Sequence, residues 1–328
     1  MDGTSAAEAS FSLDGAVPNL LKSGIELGFF LTLPLAAVLL VLLFRNWRPW
    51  LVAAALVPTV LAVYAYHVEP RLLTVREHGA EVCGGGLPGT LRAGVVSDTH
   101  LGLFGNAVSM ERVARRLGRL DLDLVLVPGD LTYHPEPDAI PALMAPLGAV
   151  GVPVYAVMGN HDVGLPGPDL VTPLTAALEA VGVTVLNPGE AVFTAQGKYL
   201  RVAGLRDFYQ VETEGAPLGL PEPAPMATIL LEHNPDAVFH ADMGPSELMV
   251  AGHTHGGQVY IPWVTCAVTF ACDTLRYGYE DNPAGKLFVT SGTGMVGLPI
   301  RFAVPPRIDV LTLAISRCPS DGRDREAA

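Results

Sequence analysis

The sequence predicts an α/β domain placed behind two membrane-length apolar segments, and three observations carry that expectation. From Leu91 onward, short Val- and Leu-rich runs recur, and each ends abruptly in Gly, Asp, Asn or His. Amphipathic stretches such as 110–120 and 170–181 separate the runs, as helices separate strands in an alternating fold. Upstream, residues 27–44 and 50–67 are two stretches of 18 residues without Asp, Glu, Lys or Arg.

In chain order, residues 1–24 read as an N-terminal tail and 25–70 as a transmembrane helical hairpin. Each uncharged stretch is long enough for a helix to cross a hydrocarbon layer of ~30 Å at ~1.5 Å per residue. Between them, Arg45-Asn46-Trp47-Arg48-Pro49 and Trp50 supply the cations and interfacial aromatics of a turn at the membrane surface. A cleaved signal peptide would open on basic residues, whereas Asp2, Glu8 and Asp14 precede the first segment and a second segment follows. Pro34 and Pro58 lie inside the segments, where membrane helices tolerate proline. A hairpin returns the chain to the side on which it began. Arg45 and Arg48 favour a cytoplasmic turn and therefore an extracytoplasmic domain, although Lys22, Arg71 and Arg76 nearly balance the count. The expected location is the cell membrane, with a multi-pass anchor.

Residues 71–90, with Gly84-Gly85-Gly86 and Pro88, read as a flexible linker. The soluble domain is expected over 91–316 and a disordered polar tail over 317–328. Within the domain, 92–97 leads into Asp98-Thr99-His100, and 122–128 into Gly129-Asp130. Next, 152–158 leads into Gly159-Asn160-His161-Asp162, 228–231 into Glu232-His233-Asn234, and 248–251 into Gly252-His253-Thr254-His255. The runs suit strands buried on both faces. Ligands of such sheets gather outside the carboxyl ends of the strands, so the five clusters are expected to converge.

Composition excludes other classes. Half of the 328 residues are apolar, which rules out an intrinsically disordered chain. The net charge is −13, and from residue 74 on there are 16 Lys plus Arg against 28 Asp plus Glu. Affinity for a polyanion comes from clustered cations, so no nucleic acid is expected as a partner. Cys83, Cys266, Cys272 and Cys318 are too few and too scattered for a disulfide framework and read as free thiols. Cys266 and Cys272 could still pair in an oxidising compartment.

The converging set holds two carboxylates (Asp98, Asp130), one amide (Asn160) and five imidazoles (His100, His161, His233, His253, His255). Mixed oxygen and nitrogen donors without thiolate suit Mn, Fe or Zn better than Mg. Two such divalent ions ~3.5–4 Å apart can hold a hydroxide between them and neutralise a phosphoryl group under in-line attack. Singly, each block has an ordinary reading: Asp-x-His as a capped turn, Gly-Asp as a strand-to-helix turn, His233 as a strand-end histidine. Their order promotes them. His67, His78 and His240 lack such context and read as interfacial or surface residues.

The order D-x-H, G-D, G-N-H-D, H, G-H-x-H resembles the calcineurin-like metallophosphoesterase superfamily over about residues 91–313. Leu231-Glu232-His233-Asn234-Pro235-Asp236, the stretch from Gly252 to Gln258, and Gly297-Leu298-Pro299-Ile300-Arg301-Phe302 resemble its branch of membrane-associated bacterial phosphoesterases. The resemblance implies a four-layer α/β/β/α sandwich. It assigns Asp98, His100 and His255 to one ion, Asn160, His233 and His253 to the other, and Asp130 to both. It makes His161 an uncoordinated histidine that contacts the phosphate and protonates the leaving group, with Asn160 also touching a phosphate oxygen. Gly256-Gly257 reads as a place where the backbone approaches the metals closely.

Two positions depart from the family pattern. Tyr133 stands where relatives carry an Asp that orients the histidine, leaving Asp162, His134 or a good leaving group to take over. Ser291 stands where an Arg is frequent, so a phosphate contact is either missing or supplied by Arg301. The implied activity is hydrolysis of phosphodiester or pyrophosphate bonds in a phosphorylated small molecule or lipid. UDP-2,3-diacylglucosamine, an intermediate of lipid A synthesis, is a candidate if the domain faces the cytoplasm. The alternatives are a non-catalytic metal-binding scaffold of the same fold, a protein Ser/Thr phosphatase, and, disfavoured by charge, a nuclease.

Overall fold

The computed structural model describes residues 31–45, 48–85, 87–102, 107–268, 272 and 275–318. The expected tail 1–24, the first residues of the expected hairpin, the turn residues Asn46 and Trp47, and the end of the expected C-terminal tail from Pro319 lie outside them. The described chain divides into a unit ending at His67 and a second beginning at Val68.

The first unit contains two apolar helices, α1 (Leu31–Phe44) and α2 (Pro49–Val63). Thr32 Oγ1 meets His67 Nε2 at 3.0 Å, so the start of α1 lies beside the turn that continues α2 and the two helices run antiparallel. Leu31, Phe44, Trp50 and Val57 are exposed, leaving an apolar exterior that water would disfavour. One helical stretch, Pro49–Arg71 with 23 residues and mean hydropathy 1.8, is long and apolar enough to cross a membrane among the described residues. The second crossing of the expected hairpin is not present as such a span, because α1 is described only from Leu31.

The second unit is built on two six-stranded sheets. The first has the order β1-β12-β2-β3-β4-β5, with β1 (Thr74–Cys83), β2 (Gly89–Val95), β3 (Leu124–Pro128), β4 (Val154–Val157), β5 (Thr184–Val185) and β12 (Arg307–Ser316). The second has the order β10-β11-β9-β8-β7-β6, with β6 (Gly189–Ala195), β7 (Lys198–Gly204), β8 (Thr228–Leu231), β9 (Glu247–Ala251), β10 (Gly278–Asn282) and β11 (Gly285–Val289). Both are mixed: β2-β3-β4 and β7-β8-β9 are parallel, and β12 joins β2 antiparallel.

Alternation along the strands explains the layering. Leu124 and Leu126 of β3 point into a core between the sheets with Ile229, Leu231, Leu248, Val250 and Phe288. Their neighbours Val125 and Val127 point the other way, into a core with Val113 and Leu117 of α3 (Met110–Leu117), Met144 of α4 (Ile140–Met144) and Leu174 of α5 (Val171–Ala180). In the second sheet, Leu230, Met249 and Leu287 face outward onto Phe208 of α6 (Phe208–Glu214) and the 3-10 turn at Pro235–His240. A strand with helices on one side and a sheet on the other has no polar face, which is why its sequence reads as continuously apolar.

Three expectations are corrected here. Residues 71–90 are not a linker, since Thr74–Cys83 forms β1 and pairs parallel with β12 along its whole length. As an edge strand, β1 keeps exposed polar residues such as Arg76 and Glu77, which mask the strand pattern. The cysteines are not free thiols. Cys83 at the end of β1 is bonded to Cys318 just past β12, 235 residues away, and Cys266 is bonded to Cys272. The first pair follows from the β1–β12 register, which sets Cys83 opposite Ser316. The same pairing places His78 not at the surface but against buried Asp309 at 3.0 Å and Tyr277 at 2.9 Å.

Candidate active site

Every polar cluster named from the sequence sits at the carboxyl end of a parallel strand. β2 delivers Asp98 and His100, β3 delivers Asp130, and β4 delivers Asn160 and His161. From the facing sheet, β8 delivers His233, while β9 delivers His253 and His255. The loops are stitched together by backbone bonds such as Asp98 N–H to Gly129 O and Gly252 N–H to His233 O. Asp98, His100, Asp130, His253 and His255 all hold positive φ, between 43° and 69°. Non-glycine residues enter that region at a cost, and its concentration here turns successive side chains inward from short loops. Gly159 and Gly252 leave room for this: a Cβ at either would strike the carboxylate of Asp130 or Asp98.

The donor atoms meet closely. His100 Nε2 lies 2.9 Å from His255 Nε2, and His255 Nε2 lies 3.5 Å from Asp98 Oδ1. On the other side, His233 Nε2 lies 3.1 Å from both Asn160 Oδ1 and His253 Nδ1. Asp130 Oδ2 stands between the sets, 3.2 Å from His233 Nε2 and 3.5 Å from His100 Nε2. Its other oxygen accepts the His161 amide N–H at 3.0 Å. Ligands bound at ~2.0–2.1 Å in tetrahedral or octahedral array are ~3.0–3.4 Å apart, so these separations match the edges of coordination polyhedra. Two imidazole nitrogens at 2.9 Å share at most one proton, whereas both lone pairs can point at one cation.

Electrostatics agree with a site for cations. Burial pushes His100 and His253 down to about 3 and His255 further below its ordinary value, so all three imidazoles are neutral and able to ligate. Burial opposes charge on His233 as well, but Asp130, Asp98 and Asp207 outweigh it and hold its imidazole well above the usual range. A proton there occupies the place of positive charge that the carboxylates demand. His233 Nδ1 faces the Pro128 carbonyl at 2.9 Å, a bond that fixes Nε2 towards the centre.

Burial raises Asp98 to about 7, with His233 pulling it down and Asp130 adding to the rise. A ligating carboxylate must be ionised, so below about pH 7 cation capture displaces a proton from Asp98 as well as one from His233. Affinity at the Asp98 set is expected to weaken about tenfold per unit as pH falls below that value. Calorimetry of the metal-free chain with Mn²⁺ checks this, with proton release at about pH 6 exceeding that at about pH 8.5 by roughly one. Equal release at both would remove Asp98 from the ligand set.

The replacements for the missing acidic partner of His161 are engaged elsewhere. Asp162 accepts from Leu131 N, Thr132 N, Thr132 Oγ1 and Gly159 N at 2.6–3.1 Å, so it clamps the β3 and β4 loops together. His134 Nε2 lies 2.9 Å from the Pro166 carbonyl. The ring of Tyr133 packs on His161 with centroids 4.7 Å apart, and among the described residues His161 Nδ1 is buried without a hydrogen-bond partner. Arg301 does not reach towards a substrate. Fully buried, its guanidinium donates to the carbonyls of Ser291, Gly292, Gly294 and Val304. Asn160 spends one amide N–H on Leu165 O at 2.7 Å, which turns its oxygen towards His233. Gly256 packs against Ser291 and Val304 rather than against the donor atoms.

Sequence reasoning missed a sixth cluster. β7 ends in Leu205-Arg206-Asp207, and Asp207 is buried beside Glu232, both carboxyls being raised chiefly by burial. The signal was the same as for the other five: an apolar run closing on an acid.

A mixed-sheet sandwich with a buried Asp/Asn/His cluster at its strand ends has donor groups that could hold metal ions. The chain belongs to the calcineurin-like phosphoesterase family, whose profile matches residues 91–264. A Bacillus subtilis protein described as an uncharacterized metallophosphoesterase is 29% identical over 263 residues, spanning 76% of this chain and 88% of its own length. The UDP-2,3-diacylglucosamine pyrophosphatase of Chlamydia trachomatis is 23% identical over 323 residues, covering 76% of this chain and 92% of its own. A zebrafish transmembrane protein with a metallophosphoesterase domain is 28% identical over 281 residues, covering 80% of this chain and 62% of its own.

Proposed function

We propose that the protein is a membrane-tethered phosphoesterase that uses two divalent ions, Mn, Fe or Zn, to hydrolyse phosphodiester or pyrophosphate bonds of lipid or envelope substrates. The observation that carries it is the meeting of Asp130 with six further potential ligands, neighbouring donor atoms standing at the spacing of coordination polyhedra. Asp98, His100 and His255 would hold one ion, Asn160, His233 and His253 the other, and Asp130 both. Bound there, the ions would acidify a water and neutralise the phosphoryl oxygens. The ligand set is complete, which opposes a non-catalytic scaffold.

His161 is the proton donor to the leaving oxygen in this reading. Burial holds its imidazole below the ordinary value, with Asp130 pulling the other way. Because, among the described residues, no carboxylate hydrogen-bonds its ring, its contribution should depend on the leaving group. His161→Ala is expected to lower turnover ~10²–10³-fold for alkyl leaving groups and far less for p-nitrophenolate. Metal content should remain at two ions per chain. Loss of metal would instead make His161 a ligand, a possibility its distance to His100 and Asp130 leaves chemically open.

The anchor in this proposal is the hairpin of residues 25–70, supported by the apolar exterior of α1 and α2. The domain is extracytoplasmic: two disulfides suit an oxidising compartment, and Arg45 and Arg48 suit a cytoplasmic turn. On that side a lipid-linked phosphate is the favoured substrate class. UDP-2,3-diacylglucosamine, suggested by the chlamydial relative, fits the opposite orientation. The full chain in detergent, loaded with Mn²⁺, is to be assayed on a chromogenic diester, a monoester and UDP-2,3-diacylglucosamine. No hydrolysis of any of them sinks the proposal, and a reporter fused after Ala328 that works only in the cytoplasm sinks the orientation.

A further inference from the structure

Immediately after the last histidine of the site, the stretch from Gly256 through Cys272 contains no Asp, Glu, Lys or Arg, in a domain that is otherwise strongly acidic. Its tip, residues 261–264, is Ile-Pro-Trp-Val. Ile261 and Val264 are 45% and 50% exposed, and Trp263 is 92% exposed. An indole left in water forfeits most of its burial energy. Trp263 also holds a left-handed backbone at φ 62°, a conformation that a bulky residue adopts at a cost. Among the described residues, nothing covers the ring.

The tip is nevertheless held firmly. Thr265 Oγ1 donates to Val259 O at 2.7 Å and accepts from Ile261 N at 2.8 Å, Val264 N donates to Ile261 O at 3.0 Å, and the Cys266–Cys272 bond follows. It is a built protrusion rather than a loose loop. Within its own unit, which begins at Val68, it is linked through the backbone to Glu69. Val259 bridges Phe302, and Tyr260 N–H donates to Phe302 O at 2.8 Å. The next residue, Ala303, donates its N–H at 2.9 Å to Glu69, which is buried in the last turn of the candidate span Pro49–Arg71. Val68 and Leu72 on either side of that turn are exposed apolar residues, and Leu298, tied to the tip through Gln258, is another.

The geometry points to the 261–264 tip as a second membrane contact, one that enters the interface of an anionic bilayer and turns the neighbouring histidine site towards lipid head groups. The inference rests on the membrane-tethered reading above and adds a surface and a substrate presentation to it. An aromatic ring with an N–H donor suits the interfacial zone, and the absence of carboxylates from residues 256–272 lets the tip approach anionic lipid. Val68, Leu72 and Leu298 are further exposed apolar residues of the same unit that such a contact could use.

The test uses the full chain with Trp47→Phe and Trp50→Phe, which leaves Trp263 as its sole tryptophan. It is reconstituted in phosphatidylcholine and phosphatidylglycerol vesicles, with or without brominated acyl chains. Emission from Trp263 is expected to fall by at least about half in brominated vesicles, because quenching by bromine requires near-contact with the acyl region. Emission equal in both vesicle types overturns the inference. Kinetics supply the second arm. Trp263→Ser should leave hydrolysis of soluble bis-p-nitrophenyl phosphate within about twofold, and lower kcat/KM about tenfold or more for a diacylglycerol p-nitrophenyl diester embedded in vesicles. Equal loss on both substrates overturns it as well, since the tip would then act on the chemistry and not on lipid presentation. If the unsubstituted chain cleaves neither substrate, the phosphoesterase reading fails while the quenching result still decides the membrane contact.

Discussion

Asp130→Ala is expected to abolish metal-dependent hydrolysis, lowering kcat/KM by at least ~10³-fold, about 4 kcal/mol of transition-state stabilisation. Its Oδ2 is the atom nearest to both donor sets, while Oδ1 accepts the His161 amide. On the proposed mechanism, truncation therefore removes the shared ligand and frees the loop that carries His161, the proposed proton donor. The metal content of the purified variant should drop below two per chain. Asp130→Asn separates the two losses, because an amide oxygen can retain the His161 bond while the charge that balances His233 disappears. Two retained ions with unchanged turnover in either variant would falsify the shared-ligand role. Adding excess Mn²⁺ should restore part of the activity of the Asn variant and little of the Ala variant.

Arg301→Met should destabilise the fold by about 3–5 kcal/mol, the second large effect, because it strips a buried cation from four backbone carbonyls that have lost their water. Burial lowers the Arg301 guanidinium to about 10, with Asp98 holding it up, and it remains charged at neutral pH. The carbonyls belong to the loop in which Thr293 N–H and Gly294 N–H bond the carbonyls of Ser97 and Asp98. The damage should therefore reach the site, and affinity for the ion on the Asp98 side should weaken too. Calorimetric melting of the metal-free variant measures the first effect, expected as a fall of ~6–20 °C for a domain of this size. A phosphate-binding arginine would behave differently, raising KM with the melting temperature unchanged.

Arg301 also shows where reading from sequence stops. Sequence pattern offered it as a substitute phosphate contact, since a cation near a phosphate site is chemically reasonable. What decides its role is four carbonyls supplied by a loop of irregular backbone, and no spacing rule encodes that. The same holds for β1, whose partner β12 is more than 230 residues away and whose exposed edge hides any apolar period. The central strands were readable for the opposite reason. Burial on both faces makes their residues apolar without interruption, and each run ends where the chain must turn polar. Asp98, His100, Asp130, Asn160, His161, His233, His253 and His255 stand at those ends, so their meeting follows from topology alone. The inward turn of five of them depends on left-handed backbone at Asp and His, which residue type does not announce. Asp162 was read as a partner for His161 because it is adjacent in sequence, but its carboxylate points back to the β3 loop.

The bond between Cys83 and Cys318 closes the chain into a covalent ring, and all seven candidate ligands, from Asp98 to His255, lie on it. A protease that cuts one surface loop of this ring cannot release a fragment. The nicked molecule stays a single covalent species, each piece held at the effective concentration of its neighbour, so it can keep its cluster assembled until a reductant opens the ring. Such a ring turns a single cleavage from a loss of the enzyme into a scar.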